Sequence, residues 1–398
     1  MKILYHHRTA SKDGQAVHIE EMIHALRAQG HEVRVVAPAA GGRQDAMGGE
    51  VRWVQRLRAA LPKALYELLE LGYSAVAYRK LLRAAREFKP DVVYERYNLF
   101  LLSGVALRRT LGLPLLLEVN APLADERRQF GGLGLPWLAD WAETRTWRAA
   151  DVVLPVTAVL AGRVLSRGVR SERIEVIPNG INEAHFEQAP SPEVAKRRFG
   201  WGPDELVLGF TGFVRDWHGV DRVVRWLAGA EAPASTRLLM VGDGPARADL
   251  ETLAQQLGVA GRVHFTGVVD RADVPAMVAS FDIALQPAVV AYASPLKLFE
   301  YLAMGKAVVA PRTPNLLEVL DDDHNALLFD ADQPGALEAA LLRLCGDAPL
   351  RARLSAAARA TIQRRQLTWD GNARRVVALA RALLQSPGQP AGASLERR

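Results

Sequence analysis

A chain of 398 residues with 49% hydrophobic and 24% charged residues is too long for one ordinary core and suits two globular domains. Its single cysteine, Cys345, excludes an internal disulfide and a cysteine-based metal site, and Arg108-Arg109 interrupts the best apolar run short of bilayer-spanning length. The opening Met1-Lys2-Ile3-Leu4-Tyr5-His6-His7 is too short and polar for a secretory signal, so the expected compartment is the cytoplasm.

Ile3-Leu4-Tyr5 reads as a first strand, followed by a loop over 6–17 that holds Asp13-Gly14. A helix from about His18 to Gln29, capped by Gly30, leads to a second strand at Glu32-Val33-Arg34-Val35-Val36-Ala37. This is a βαβ unit, whose first loop lies where ligands bind in doubly wound sheets. Between Val51 and Lys89 stand nine basic residues against three acidic ones, which equals the whole net charge of +6. Trp53, Leu57, Leu61, Leu65, Leu68, Leu69 and Tyr73 interleave with them at near-helical spacing. Such a segment is either a pair of ordinary surface helices or a surface for an anionic membrane. No motif for nucleic acid is present.

Strands at 91–94 and 114–119 flank a helix near 101–111, and Glu118, Asn120 and Glu126 cluster past the second of them. Trp137, Trp141 and Trp147 mark a helix as packing residues, before strands at 151–156 and 174–177. A first domain over 1–187 is expected, then a linker over 188–204 with several prolines. A second alternating series over 205–365 has strands near 206–212, 238–241, 263–268, 281–285, 307–311 and 326–329. A helix over 366–385 should pack back on the first domain, and the Pro-, Gly- and Ser-rich 386–398 should be disordered.

The most informative stretch is Ser294-Pro295-Leu296-Lys297-Leu298-Phe299-Glu300-Tyr301-Leu302-Ala303-Met304-Gly305. Ser294 reads as an N-cap and Pro295 as the first helical residue. The amides of Leu296 and Lys297 then lie at the positive helix end, where the Lys297 ammonium is useful only if an anion binds. Glu300 shares the face of Lys297. Competing motifs are weak: Gly242-Asp243-Gly244 lacks the third glycine of a dinucleotide loop, and Asp321-Asp322-Asp323-His324 reads as a solvated loop more readily than a metal site.

Taken together, these pieces resemble the family 4 glycosyltransferases of the GT-B fold, also described as group 1 glycosyl transferases. The likeness runs through Gly30-His31-Glu32-Val33, Val176-Ile177-Pro178-Asn179-Gly180 and Val241-Gly242-Asp243-Gly244-Pro245. It continues through Val263-His264-Phe265-Thr266-Gly267 and Glu300-Tyr301-Leu302-Ala303-Met304-Gly305. The resemblance implies an α/β fold of two doubly wound Rossmann-like domains facing a central cleft, and transfer from a nucleotide diphosphate sugar with retention. It implies donor binding by Gly14, Gly212, Val268, Ser294, Pro295, Leu296, Lys297, Leu298 and Glu300, with Lys297, Arg215, Asn120 and His218 serving catalysis. Asp13, His18, Glu118 and Glu126 would face a glycan or lipid-linked acceptor, and no metal or other cofactor is expected. The sequence departs from the family pattern at Tyr292, where a glutamate is usual, at Phe213 and His218, where an arginine and a lysine are usual, and at Asn120, often a histidine. A nucleotide-sugar epimerase and an inactive binding protein on the same fold remain the alternatives.

Overall fold

The computed structural model describes residues 1–9, 14–38 and 61–385. Asp13, the basic residues Arg52, Arg56 and Arg58, and the segment 386–398 lie outside the described residues. Packing divides the chain into two units. The first comprises residues 1–178, the short stretch Tyr292–Ser294 and the C-terminal part from Trp369; the second holds Asn179–Ala291 and Pro295–Thr368.

In the first unit, β1 (Lys2–His6), β2 (Glu32–Val36), β3 (Val92–Arg96), β4 (Leu115–Val119) and β5 (Val152–Pro155) form one parallel sheet in the order β2-β1-β3-β4-β5. Strands β3, β4 and β5 are buried at every residue, as continuous apolar runs in a covered parallel sheet should be. Leu4, Val93, Leu115, Leu117 and Trp147 sit in its core. The register sets His6 beside Glu95 and Arg96 beside Glu118, so the apolar strands end in charge at their carboxyl edge.

Several details differ from expectation. The first helix spans Gly14–Ala28, so Gly14 opens a helix instead of sitting in a loop. The segment 174–177 runs beside β5 but forms only an isolated bridge. Glu175 and Ile177 donate to the Val153 and Pro155 carbonyls at 3.1 and 3.0 Å. The return bond to Glu175 would have to come from residue 155, a proline without an N–H, and the ladder fails there. Among the tryptophans of helix Pro136–Ala149 only Trp147 is buried; Trp137 and Trp141 are exposed.

The helix Lys63–Phe88 buries an unexpected face: Tyr66, Glu67, Glu70, Ala77, Leu81 and Ala85 point inward, while Leu65, Leu68 and Leu69 are exposed. The reason is that its acids have partners. Glu67 accepts from the Gly134 and Leu135 amides at 2.8 and 2.7 Å, and Glu70 accepts from Arg127 Nη2 at 2.9 Å. The helix Trp369–Gln385 packs on Gly14–Ala28, and Asn372 Nδ2 donates to the Pro178 carbonyl at 2.7 Å.

In the second unit, β6 (Leu206–Thr211), β7 (Thr236–Val241), β8 (Val263–Phe265), β9 (Ile283–Leu285), β10 (Ala307–Pro311) and β11 (Leu327–Phe329) make a parallel sheet in the order β11-β10-β9-β6-β7-β8. Its two faces carry separate cores. Leu208, Phe210, Leu238 and Met240 pack on one, and Val207, Leu239, Val308 and Phe281 on the other. Burial on both faces is what a helix-covered parallel sheet requires. The expected linker is structured: helix Pro192–Arg197 is capped by Ser191, and the buried Lys196 Nζ donates to Glu205 O and Asp282 Oδ1 at 2.9 and 3.0 Å. Residues 188–204 therefore belong to the second unit, whose boundary falls at Asn179 and not after 187. Among the described residues no helix is long and apolar enough to cross a membrane.

Candidate functional site

At the carboxyl ends of β6 and β7 the backbone turns sharply. Gly212 and Gly242 both have φ of +124°, and Gly242 packs so closely that a Cβ there would lie 2.2 Å from the Gly212 carbonyl oxygen. A Cβ on Gly244 would meet the Val214 carbonyl oxygen at 2.1 Å. The two loops interlock only because these positions carry no side chain, and they leave a floor of bare backbone.

The helix Leu296–Ala303 stands over that floor. Leu298, Phe299, Tyr301 and Leu302 bury one face of it, and the Tyr301 hydroxyl accepts the Thr211 amide at 2.8 Å, tying the helix to the end of β6. Pro295, not Ser294, occupies the capping position, and it has no side-chain acceptor to offer the first turn. Ser294 packs with the first unit. The Leu298 amide donates to the Pro295 carbonyl at 3.1 Å, which leaves the Leu296 and Lys297 amides ahead of that bond. Leu298 itself is a core residue with its N–H already engaged, so its expected donor contact does not hold.

Lys297 is the central group. Its Nζ is buried without a hydrogen-bond partner, 3.5 Å from the centroid of the Phe210 ring and 3.2 Å from where a Cβ on Gly212 would be. Burial lowers its pKa to about 7, against the opposing pull of Glu300. Glu300 is raised to about 7 by its own burial, which Lys297 and Arg271 offset in part. An unpaired ammonium at a helix N-terminus, over backbone without side chains, is arranged for an anion.

His218 packs its ring edge on the same Phe210, with centroids 5.1 Å apart. Burial first, then the charge of Lys297, lowers its pKa to about 3, so it is neutral. Its Nδ1 accepts the Arg215 amide at 3.0 Å, which places the ring proton on Nε2 as one neutral donor. Arg215 is exposed, with its guanidinium 5.1 Å from the Phe213 ring centroid. Val268, past Gly267 with φ of +70°, is exposed.

A second constellation lies at the carboxyl edge of the first sheet. Glu118 receives the Tyr94 hydroxyl at 2.7 Å, the Arg96 guanidinium and the Asn120 amide, with His18 Nε2 at 2.9 Å. Burial opposes its ionisation, but His18 and Arg96 outweigh that and hold the carboxyl well below the usual range. The His18 ring meets Trp369 edge-on at 4.7 Å, and His6 Nδ1 lies 2.6 Å from Glu95 Oε2. Glu118, His18 and Asn120 are thus brought together, yet the Glu118 carboxylate is saturated from within the protein and is a structural hub, not the expected acceptor ligand. Glu126 accepts from the Tyr292 hydroxyl, and the Tyr292 carbonyl accepts from Thr157 Oγ1 at 3.0 Å. Gly14 is exposed at the start of its helix.

Sequence reasoning missed Phe210, Tyr301, Tyr94, Arg96 and the His6–Glu95 pair. Strand β3 did carry a signal, because two charged residues, Glu95 and Arg96, continue an apolar run that ought to be buried. The acidic run is engaged by arginines: Asp321 by Arg365, Asp322 by Arg312, and Asp323 by Arg343 and Arg353. Among the described residues no group of three or more acids, histidines or cysteines is placed to hold a metal.

Residues 12–185 match the family described as Glycosyltransferase Family 4, and residues 193–361 match Glycosyl transferases group 1. The chain belongs to the family 4 glycosyltransferases. This glycosyltransferase is 28% identical over 255 residues to the 2-deoxystreptamine glucosyltransferase of Streptomyces kanamyceticus, a match covering 59% of the chain and 65% of that relative. It is 29% identical over 357 residues to a GDP-mannose-dependent alpha-mannosyltransferase of Mycolicibacterium smegmatis, covering 87% of the chain and 88% of the relative. The structure of Anabaena HepE in complex with UDP and glucose superposes with a TM-score of 0.72 at 18% identity, over 95% of this chain and 98% of that one. The glycosyltransferase therefore has the GT-B fold of two Rossmann-like units.

Proposed function

We propose that the enzyme transfers a hexosyl group from a nucleotide diphosphate sugar to a glycan or lipid-linked acceptor, with retention of anomeric configuration. The observation that carries this reading is the buried, unpartnered Lys297 Nζ at the start of helix Leu296–Ala303. As the bond from the anomeric carbon to the diphosphate breaks, charge accumulates on the leaving phosphate. Lys297, the Leu296 and Lys297 amides and the neutral His218 Nε2–H are donors held in advance for it. The acceptor hydroxyl forms the new bond to the anomeric carbon, and its proton passes to the departing diphosphate. The backbone past Gly267 at Val268 reads the base, and Glu300 accepts the ribose hydroxyls. The likeness to a glucosyltransferase, a GDP-mannose-dependent enzyme and a UDP-bound structure supports a nucleotide sugar as donor.

The test is incubation with UDP-, GDP- and ADP-linked sugars, reading nucleotide release and thermal shift. Nucleotide release or a binding shift with at least one donor is expected. Recovery of an epimerised nucleotide sugar, or no binding to any of them, refutes the reading. Glu300→Gln is expected to weaken nucleoside diphosphate binding about tenfold, because one charge-assisted pair of hydrogen bonds becomes neutral; calorimetric titration with the nucleotide checks it.

The enzyme needs no metal in this reading, since Lys297 and the helix end neutralise the diphosphate. Turnover is expected to persist in excess chelator, and strict dependence on added magnesium or manganese would overturn that part. The acceptor is presented at an anionic membrane surface met by the basic segment 51–89, of which Arg79, Lys80, Arg83 and Arg86 are exposed on the helix Lys63–Phe88. Each basic group near such a surface contributes about 1 kcal/mol.

A further inference from the structure

The side chain of Lys297 ends against a core to which its own helix does not belong. Helix Leu296–Ala303 buries Leu298, Phe299, Tyr301 and Leu302 in the core on one face of the second sheet, whereas Phe210 belongs to the core on the other. The ammonium nevertheless lies 3.5 Å from the centroid of the Phe210 ring. It passes the end of β6 at Gly212, where a Cβ would stand 3.2 Å from Nζ and 3.3 Å from Cε. The missing side chain at Gly212 therefore opens the path of Lys297 as well as the backbone floor.

A buried ammonium without a hydrogen bond is unfavourable, and an aliphatic neighbour would do nothing to offset it. The face of an aromatic ring carries negative charge density and attracts a cation, most strongly where water is excluded. It also holds the charge without accepting a directional hydrogen bond, so the N–H groups of the ammonium stay open for an incoming anion. The charged and titratable groups around Lys297 supply no substitute. Glu300 on the same helix attracts the ammonium but is not hydrogen-bonded to it. Tyr301 is kept neutral by burial, and its hydroxyl is engaged by Thr211. On the loop after β6, His218 is neutral and Arg215 is a cation, as is Arg271 near Glu300. Strand β10 brings only apolar side chains, and helix Ala348–Arg365 brings Arg359 only to the far end, at the Met304 carbonyl.

We propose that Phe210 is a positioning residue: its ring is the platform that holds the Lys297 ammonium in place and leaves its N–H groups for the diphosphate. The proposal rests on the reading of Lys297 as the diphosphate ligand and adds what keeps that group charged and aimed before the donor arrives. A platform that carries the cation in both the free and the bound enzyme has a definite signature. Weakening it disfavours the protonated free enzyme but leaves the affinity of that protonated form unchanged. The loss of binding then appears at high pH and vanishes at low pH.

The experiment replaces Phe210 by mono-, di- and trifluorinated phenylalanine, which keep the shape of the ring and progressively drain its face. Phe210→Leu alone would also disturb the core around it. Protonation of Lys297 is followed in the free enzyme by carbon NMR of labelled lysine, with the resonance assigned through Lys297→Arg. Affinity for UDP-glucose, GDP-mannose and ADP-glucose is measured by calorimetry at pH 6 and pH 8, on either side of the wild-type value of about 7. Each fluorine is expected to lower the Lys297 midpoint, by about one pH unit for the trifluorinated ring. Affinity should then fall about tenfold at pH 8 and no more than about twofold at pH 6. Glu300 titrates in the same range, so the series is repeated in Glu300→Gln, where the same trend is expected. A midpoint that does not move along the series overturns the platform. Affinity that rises at pH 6 and stays constant at pH 8 also overturns it, since that is the pattern of an ammonium leaving the ring on binding. If Lys297→Ala binds these donors as tightly as wild type, the reading of Lys297 as the diphosphate ligand fails and the platform with it. If that variant is weakened while the fluorinated series is flat, only the platform fails.

Discussion

Lys297→Ala is expected to lower turnover by two to three orders of magnitude without lowering thermal stability. The loss corresponds to about 3 to 4 kcal/mol, the usual effect of removing one preplaced donor from a developing anion. Stability holds because the ammonium has no hydrogen-bond partner in the free protein, so its removal breaks no hydrogen bond, and Glu300, raised to about 7 by burial, can take up a proton when the neighbouring charge is lost. The contact with Phe210 is lost, but so is the burial of an unpaired charge. The pH dependence of stability supplies a second reading. The pKa of Lys297 is depressed from 10.5 to about 7. Below about 7 it is protonated folded and unfolded, and the folded state carries the full penalty of the buried charge. Between about 7 and 10.5 the unfolded chain binds the proton and the folded one does not, so stability rises with pH across that window. In Lys297→Ala the rise should be smaller, as urea titrations at pH 6.5 and 9 would reveal. A bound diphosphate favours the ammonium, so donor binding near pH 8 should take up protons. A variant with near-normal turnover would remove the phosphate assignment.

Glu118→Leu is expected to destabilise the first unit by about 3 to 5 kcal/mol, the range for breaking one member out of a buried charge cluster. The leucine leaves Arg96 and His18 buried without their carboxylate and removes the acceptor of Tyr94 and Asn120. For a unit of this size the unfolding temperature should fall by roughly 10 °C. Since the folded carboxyl is held below its ordinary value, the stabilisation from Glu118 is fully present above that value and is lost as pH falls beneath it. Scanning calorimetry of wild type and variant at pH 7 and pH 4 checks both statements. An unchanged transition at pH 7 would mean that Glu118 is available to a ligand after all.

The parts legible in the sequence were those governed by local patterns. Ala307–Pro311 was visible as a strand because it is a short apolar run between a glycine stop and a proline, and Lys297 and Glu300 because three residues put them on one helix face. What stayed hidden depended on partners far along the chain. The leucines at near-helical spacing from Leu61 to Leu69 left open which face of their helix is buried, and the answer lies in Arg127 and the amides of Gly134 and Leu135, which engage Glu67 and Glu70 and turn the leucines outward. Glu118 looked like a free carboxylate because nothing local shows that Arg96, His18 and Tyr94 converge on it. His218 stood out only as a departure from the lysine usual at that position; its neutral state follows from its burial and from the nearby charge of Lys297, which no local pattern shows.

The helix Trp369–Gln385 covers Gly14–Ala28, and Gln29 bonds to Asp370 across 341 residues of chain. During synthesis the buried side of Gly14–Ala28, His18 included, therefore leaves the ribosome long before its cover exists. At translation rates of about 5 to 20 residues per second the interval is roughly 20 to 70 s. Throughout it the nascent first unit shows an apolar helix face to the cytosol and to chaperones. A transcript truncated before codon 369 would leave that face exposed for good, so helix Trp369–Gln385 acts as a checkpoint that only a chain translated past it can pass.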